Sequence, residues 1–124
     1  MNKRRHALSL FTKYPQPGAT KTRLTVKYGG SLSDQEAADF YRATLLDVAT
    51  AALRALKLCR KTTTDNDIVD IYDFFISCTS EKDKNRLRSI FRDELSDTID
   101  ICYIIDHGRS FDGHFNNHYR QLFE

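Results

Sequence analysis

Three short runs of apolar, strand-favouring residues alternate with helical patterns along this chain, and that alternation constrains the fold most. His6 to Thr12 is the first run, with Ala7, Leu8, Leu10 and Phe11 almost continuous. Such a run suits a strand covered on both faces, as in a parallel sheet. Ile68 to Cys78 is the second, rich in Ile, Val, Tyr and Phe, and Thr98 to Ile105 is the third. A long helix is expected from Ser33, because Ser33 and Glu36 have capping-box spacing. Ala37, Phe40, Tyr41, Thr44, Leu45, Val48, Ala52 and Ala55 then recur at steps of three and four, a stripe expected to face the sheet. After a polar linker, Arg60 to Asp67, and the second run, Ser80 and Asp83 mark the cap of a second helix through Leu95. Its buried face carries Leu87, Ile90, Phe91 and Leu95. Asp106 to Gly113 reads as a loop and His114 to Phe123 as the start of a third helix. The order β-α-β-α-β-α predicts an α/β fold, a three-layer Rossmann-like parallel sheet with helices on its faces.

With 124 residues the chain has room for one domain, spanning 1–124, with a real core. A net charge of +2 is too small to point to nucleic acid. The basic start, Lys3-Arg4-Arg5-His6, reads as a solvated flank of the first strand. The absence of a long apolar run or a signal-peptide pattern makes the cytoplasm the expected location, with no membrane partner. Cys59, Cys78 and Cys102 are odd in number and widely spaced, so neither a zinc site nor a disulfide framework is indicated. Cys78 and Cys102 lie in apolar runs and are expected to be buried free thiols.

The loop from 13 to 32 is where chemistry concentrates, and Lys21 to Lys27 has room for a short helical turn. In an open parallel sheet, ligands sit beyond the carboxyl ends of the strands. Lys13 follows the first strand directly and therefore lies there by topology. Gly18 allows close backbone approach, while Pro15 and Pro17 restrict the loop. Lys21 and Arg23 add two cations; Arg23 has the fork that a phosphate accepts, whereas Lys13 and Lys21 act as point charges. The segment is neither a Walker P-loop nor a Gly-x-Gly-x-x-Gly fingerprint. Two readings stand on the residues alone: a phosphate site, or three solvated cations.

The pattern Phe-x-Lys-x-Pro-x-Pro-Gly-x-x-Lys-Thr-Arg-Leu over Phe11 to Leu24 resembles the signature of small glycosyltransferase-like proteins known as radical-SAM/selenodomain-associated transferases. These are similar to phospholactate guanylyltransferase. Ala37-Ala38-x-Phe40-Tyr41-Arg42-Ala43-x-Leu45-Leu46-Asp47 resembles that family's first long helix. The resemblance implies part of a GT-A nucleotide-diphospho-sugar transferase fold and a nucleoside triphosphate or nucleotide sugar as ligand. It implies phosphate contacts from Lys13, Lys21 and Arg23, with Pro17, Gly18 and Thr22 completing the loop and Leu8 and Phe11 supporting it from beneath.

The same family carries a further strand ending in an acidic motif resembling Gly-x-Asp-x-Pro, which holds Mg²⁺ or Mn²⁺ against the diphosphate. No such motif is present here. The chain is therefore expected to correspond to the front portion of a longer transferase, with no metal ligands or catalytic residues assignable. Its first strand would lie between the second strand and the missing one, leaving an edge open to self-association. The alternative function is a catalytically inactive phosphate-binding or oligomerisation module. Asp106 and Asp112 are read as turn and cap residues before ligand contacts. His107, His114 and His118 lack the His-Glu-x-x-His context of a metal helix.

Overall fold

The computed structural model describes the backbone of residues 2–62, 68–95, 101–108 and 111–123. Its order is β1 (Asn2–Phe11), α1 (Asp34–Thr62), β2 (Ile68–Cys78), α2 (Glu81–Glu94), β3 (Ile101–Ile105) and α3 (Phe111–Phe123). The strands form one parallel sheet in the order β1-β2-β3. Leu8 pairs with Phe74 and Leu10 with Ile76; on the far side Phe74 pairs with Ile101 and Ile76 with Tyr103.

Strand alternation divides the sheet into two unlike faces. Phe74, Ile76, Cys78 and Ile101 point to one side and pack with Leu45, Ala49 and Leu56 of α1 and Leu87 and Phe91 of α2. This is the main core, and burying each large member contributes roughly 1.5–3 kcal/mol as an upper figure. Burial pushes the Cys78 thiol pKa up, which keeps it neutral within this cluster. The opposite face carries Ser9, Phe11 and Ser77 and receives α3. His118 of α3 bonds Ser9 and stands against the Phe11 ring, 4.7 Å between centroids. Helices thus cover both faces, as the order of elements predicts.

Both helix starts follow their sequence signals. The Ser33 hydroxyl accepts from Glu36 N and the Glu36 carboxylate accepts from Ser33 N. The Ser80 hydroxyl accepts from Asp83 N. The second-strand limits also fall where expected, but α3 starts at Phe111, inside the segment read as a loop and three residues before His114, and α1 runs on to Thr62, into the segment read as a linker. The expected start of the third strand, Thr98 to Asp100, lies outside the described residues.

Four expectations need correction. β1 begins at Asn2, so Lys3, Arg4 and Arg5 belong to the strand instead of flanking it. Arg4 is paired with Asp70 at 2.6 Å and Arg5 with Asp73 at 3.0 Å on β2. Acidic partners on the neighbouring strand therefore extend a ladder that the apolar run alone starts at His6. Second, Ala7 and Leu8 are exposed, because β1 is an edge strand and is not fully covered. Third, the buried stripe of α1 is Ala37, Ala38, Leu45, Ala49 and Leu56; Phe40 and Val48 are half exposed. Two periodic stripes overlap on this helix, and the sheet selects the one with the smaller residues near its start. Fourth, Cys102 is exposed, although Cys78 is buried as expected. Cys102 lies on the outer strand, where neighbours are few.

Candidate functional site

The loop after β1 folds into two knitted parts. In the first, Ala19 N donates to Gln16 O at 3.1 Å across Pro17 and Gly18. Gly18 takes φ +82, so this is a type II turn with proline and glycine in their preferred positions. Thr20 is buried and locks the turn: its hydroxyl accepts from Gln16 N at 2.8 Å and donates to Tyr14 O. The second part holds two single-turn 3₁₀ helices, Thr22–Leu24 and Val26–Tyr28, within the region expected to turn. The buried Thr25 hydroxyl donates to Thr22 O at 2.6 Å, and Leu32 N returns to Leu24 O at 2.9 Å.

Lys21 joins the two parts. Among the described residues it is the one non-glycine with positive φ, +51. A lysine in the left-handed region is uncommon and persists where its surroundings fix it. Its ammonium stands 5.7 Å from the Tyr41 ring centroid. The Tyr41 hydroxyl lies 2.6 Å from Thr12 Oγ1 and accepts from Lys13 N at 3.4 Å. Tyr41, on the second turn of α1, thereby links the end of β1 to Lys21.

The other expected site residues are placed as follows. Lys13 is exposed directly after β1. Arg23 is exposed on the first 3₁₀ turn, and among the described residues no contact draws it toward Lys13 or Lys21. Pro17 and Gly18 form the exposed turn, with Gly18 beside the Asp34 carboxylate at the start of α1. Thr22 is half-buried and offers its carbonyl to Thr25. Phe11 supports the sheet on the α3 side, while Leu8 is 43% exposed and lies away from the loop.

Arg86 of α2 is the residue that sequence reasoning missed. Its guanidinium stacks 3.8 Å from the Tyr14 ring centroid, donates to Gln16 Oε1 at 3.0 Å, and pairs with Asp83 at 2.6 Å. Arg42, paired with Glu94 at 3.0 Å, faces it across a polar cleft of about 280 Å³ under Pro15 and Pro17. Both arginines are compensated by carboxylates, so this cleft braces the loop. No signal in the chain ties Arg86 to a turn seventy residues earlier.

Lys13, Lys21 and Arg23 differ from those two, since none of them is in an ion pair among the described residues. The carboxyl end of the sheet also holds the buried Asp106. Its Oδ1 accepts from Gly108 N at 3.1 Å, and its Oδ2 is 3.4 Å from Ser77 Oγ. That is the turn role expected of it; the side chains of Asp112 and His114 lie outside the described residues. His118 is fully buried against Ser9 and is not poised to hold a metal. Among the described residues, no group of three His, Cys, Asp or Glu side chains could hold a metal ion. Among the described residues, no helix is long and apolar enough to cross a membrane. Comparison with protein-family models, curated proteins and solved structures finds no match to this chain.

Proposed function

We propose that the loop from Lys13 to Arg23 binds the phosphates of a nucleoside triphosphate or nucleotide sugar, as part of a GT-A-like transferase. One observation carries this reading: three cations without carboxylate partners among the described residues sit on an ordered loop at the carboxyl end of a parallel sheet. Uncompensated positive charge on a braced backbone favours a multiply charged anion, because little ordering remains to be done on binding. Lys21 reaches the ligand from beside the Tyr41 ring, Lys13 from the end of β1, and Arg23 from its exposed position on the first 3₁₀ turn. The described residues do not fit a Mg²⁺ or Mn²⁺ clamp, so phosphate charge is balanced by Lys and Arg alone. Binding is correspondingly weak, and turnover is not assigned to this chain.

Isothermal titration with nucleoside di- and triphosphates tests this. Binding should be the same with and without Mg²⁺ and tighter for the triphosphate. Lys21→Ala and Arg23→Ala should each weaken it by roughly tenfold, the loss of one charge-assisted contact. Absence of heat with any nucleotide, or equal affinity in the two variants and the parent chain, would remove the proposal.

A further inference from the structure

The outer edge of β1 carries a self-complementary pattern. Thr12 N donates to Ser77 O of β2. Alternation along a parallel ladder then turns the even-numbered residues of β1 toward β2 and the amides and carbonyls of Lys3, Arg5, Ala7 and Ser9 toward the open side. Strand edges of ten residues are normally shortened, bulged or covered. The basic residues of β1 all lie in its first half, and Leu8, Leu10 and Phe11 lie in its second. The strand's two ends are therefore unlike, and an antiparallel pairing keeps the basic end of one copy away from that of the other.

Beside this edge lies a groove of about 600 Å³, between the sheet and the last turn of α3. Arg5, Ala7 and Ser9 form its floor; Tyr119, Leu122 and Phe123 form its wall. Phe123 is 78% exposed and Tyr119 is 51% exposed, their rings stacked 6.4 Å apart. A large aromatic pair at such exposure, adjoining a strand edge that has no partner among the described residues, marks a surface that another polypeptide covers.

We infer that β1 pairs antiparallel with β1 of a second copy about a two-fold axis at Ala7, joining two sheets into one of six strands. This register places Ala7 against its own counterpart, Arg5 against Ser9 of the second copy, and Lys3 against its Phe11. No two cations face each other. A parallel pairing of identical strands in register would stack Lys3, Arg4 and Arg5 on themselves, and a head-to-tail contact would not close. The small, uncharged side chain falls at the axis, where each copy meets its own residue in a hydrogen-bonded pair. The second copy's Phe11 end comes alongside the start of β1, over which Tyr119 and Phe123 stand, so the exposed rings gain an apolar neighbour.

Size-exclusion chromatography with light scattering, on the full chain from micromolar to millimolar concentration, tests the assignment. The expected mass at the upper end is twice 14.4 kDa. Ala7 is exposed, so Ala7→Lys should leave the circular dichroism spectrum and melting unchanged while placing two ammonium groups at the axis, and the chain should run as a monomer. Oxidation of an Ala7→Cys chain should yield a disulfide between the two introduced thiols, recovered as one linked peptide by mass spectrometry. A parent chain that stays monomeric throughout leaves the edge to a different polypeptide and overturns the second-copy assignment. So does a dimer that persists in folded Ala7→Lys, or a dimer in which the thiols at position 7 do not link.

Discussion

Ser9 Oγ and His118 Nε2 lie 2.6 Å apart, pinning the middle of β1 to the buried side of α3. His118 is wholly inaccessible, and its Nδ1 has no hydrogen-bond partner. Burial holds the imidazole pKa below its ordinary value, against a smaller opposing pull from Asp106. A protonated ring would add a second N–H with no acceptor. The unfolded chain takes up a proton near the ordinary histidine value while the folded chain resists, so stability falls as pH drops through that value. Between about pH 7 and 5, urea midpoints should decline, and His118→Leu should flatten this decline. An unchanged slope in that variant would assign the acid sensitivity elsewhere.

At the far end of β1, Asp70 accepts from Arg4 at 2.6 Å and meets His6 Nε2 at 2.8 Å. Hydrogen bonds from Arg4 and then His6 hold its carboxyl down at about 2, from an ordinary 3.8. A depressed carboxyl stabilises the fold above the unfolded value, and that stabilisation is lost as pH falls through the folded value. The β1–β2 start should therefore loosen between about pH 4 and 2. Carboxyl titration by NMR should place Asp70 lowest among the aspartates. Arg4→Gln should raise its pKa.

Gly30 shows a requirement of space without a special backbone angle. A Cβ at this position would stand 2.1 Å from the Leu24 carbonyl oxygen, a backbone atom that cannot swing aside. Gly29 is the converse, with φ +91 and open space around it. Gly29→Ala should cost about 1 kcal/mol, the strain of a side chain in the left-handed region. Gly30→Ala should cost more, roughly 2–4 kcal/mol, because the 22–32 segment must reopen. Thermal melts of the two variants compare these costs directly, and the reverse order would contradict the packing described.

The parts of the fold that follow local rules were legible in the chain. Capping at Ser33 and Ser80, the Pro17-Gly18 turn and the second strand each depend on neighbours within a few residues. Long-range relationships were not. Which of two overlapping stripes on α1 is buried depends on where the sheet lies. Lys3 to Arg5 look like a solvated tail until Asp70 and Asp73 are known to stand opposite. Within the candidate loop, the Pro17-Gly18 turn and the place of Lys13 after β1 could be read. The Tyr41 link to Thr12 and Lys21, and the brace from Arg86, depend on crossings that no periodicity encodes. The Lys21 ammonium and the Lys13 backbone N–H meet at one tyrosine, whereas Arg23 remains apart.

Arg86 should control loop order without being part of the ligand surface. It stacks on Tyr14, bonds Gln16 and is steered by Asp83 from its own helix. A partly buried cation on an aromatic face, with a hydrogen bond to a turn side chain, contributes roughly 1–2 kcal/mol. Arg86→Ala should lower stability by about that amount. Amide exchange should quicken most at Ala19, whose N–H closes the turn onto Gln16. Arg86→Lys should not restore protection, since a lysine lacks the planar fork that stacks and bonds at once. If the loop's order matters for phosphate, nucleotide affinity should fall with exchange protection in both variants, although Lys13, Lys21 and Arg23 are untouched. Unchanged exchange at Ala19 would mean that Thr20 alone holds the turn.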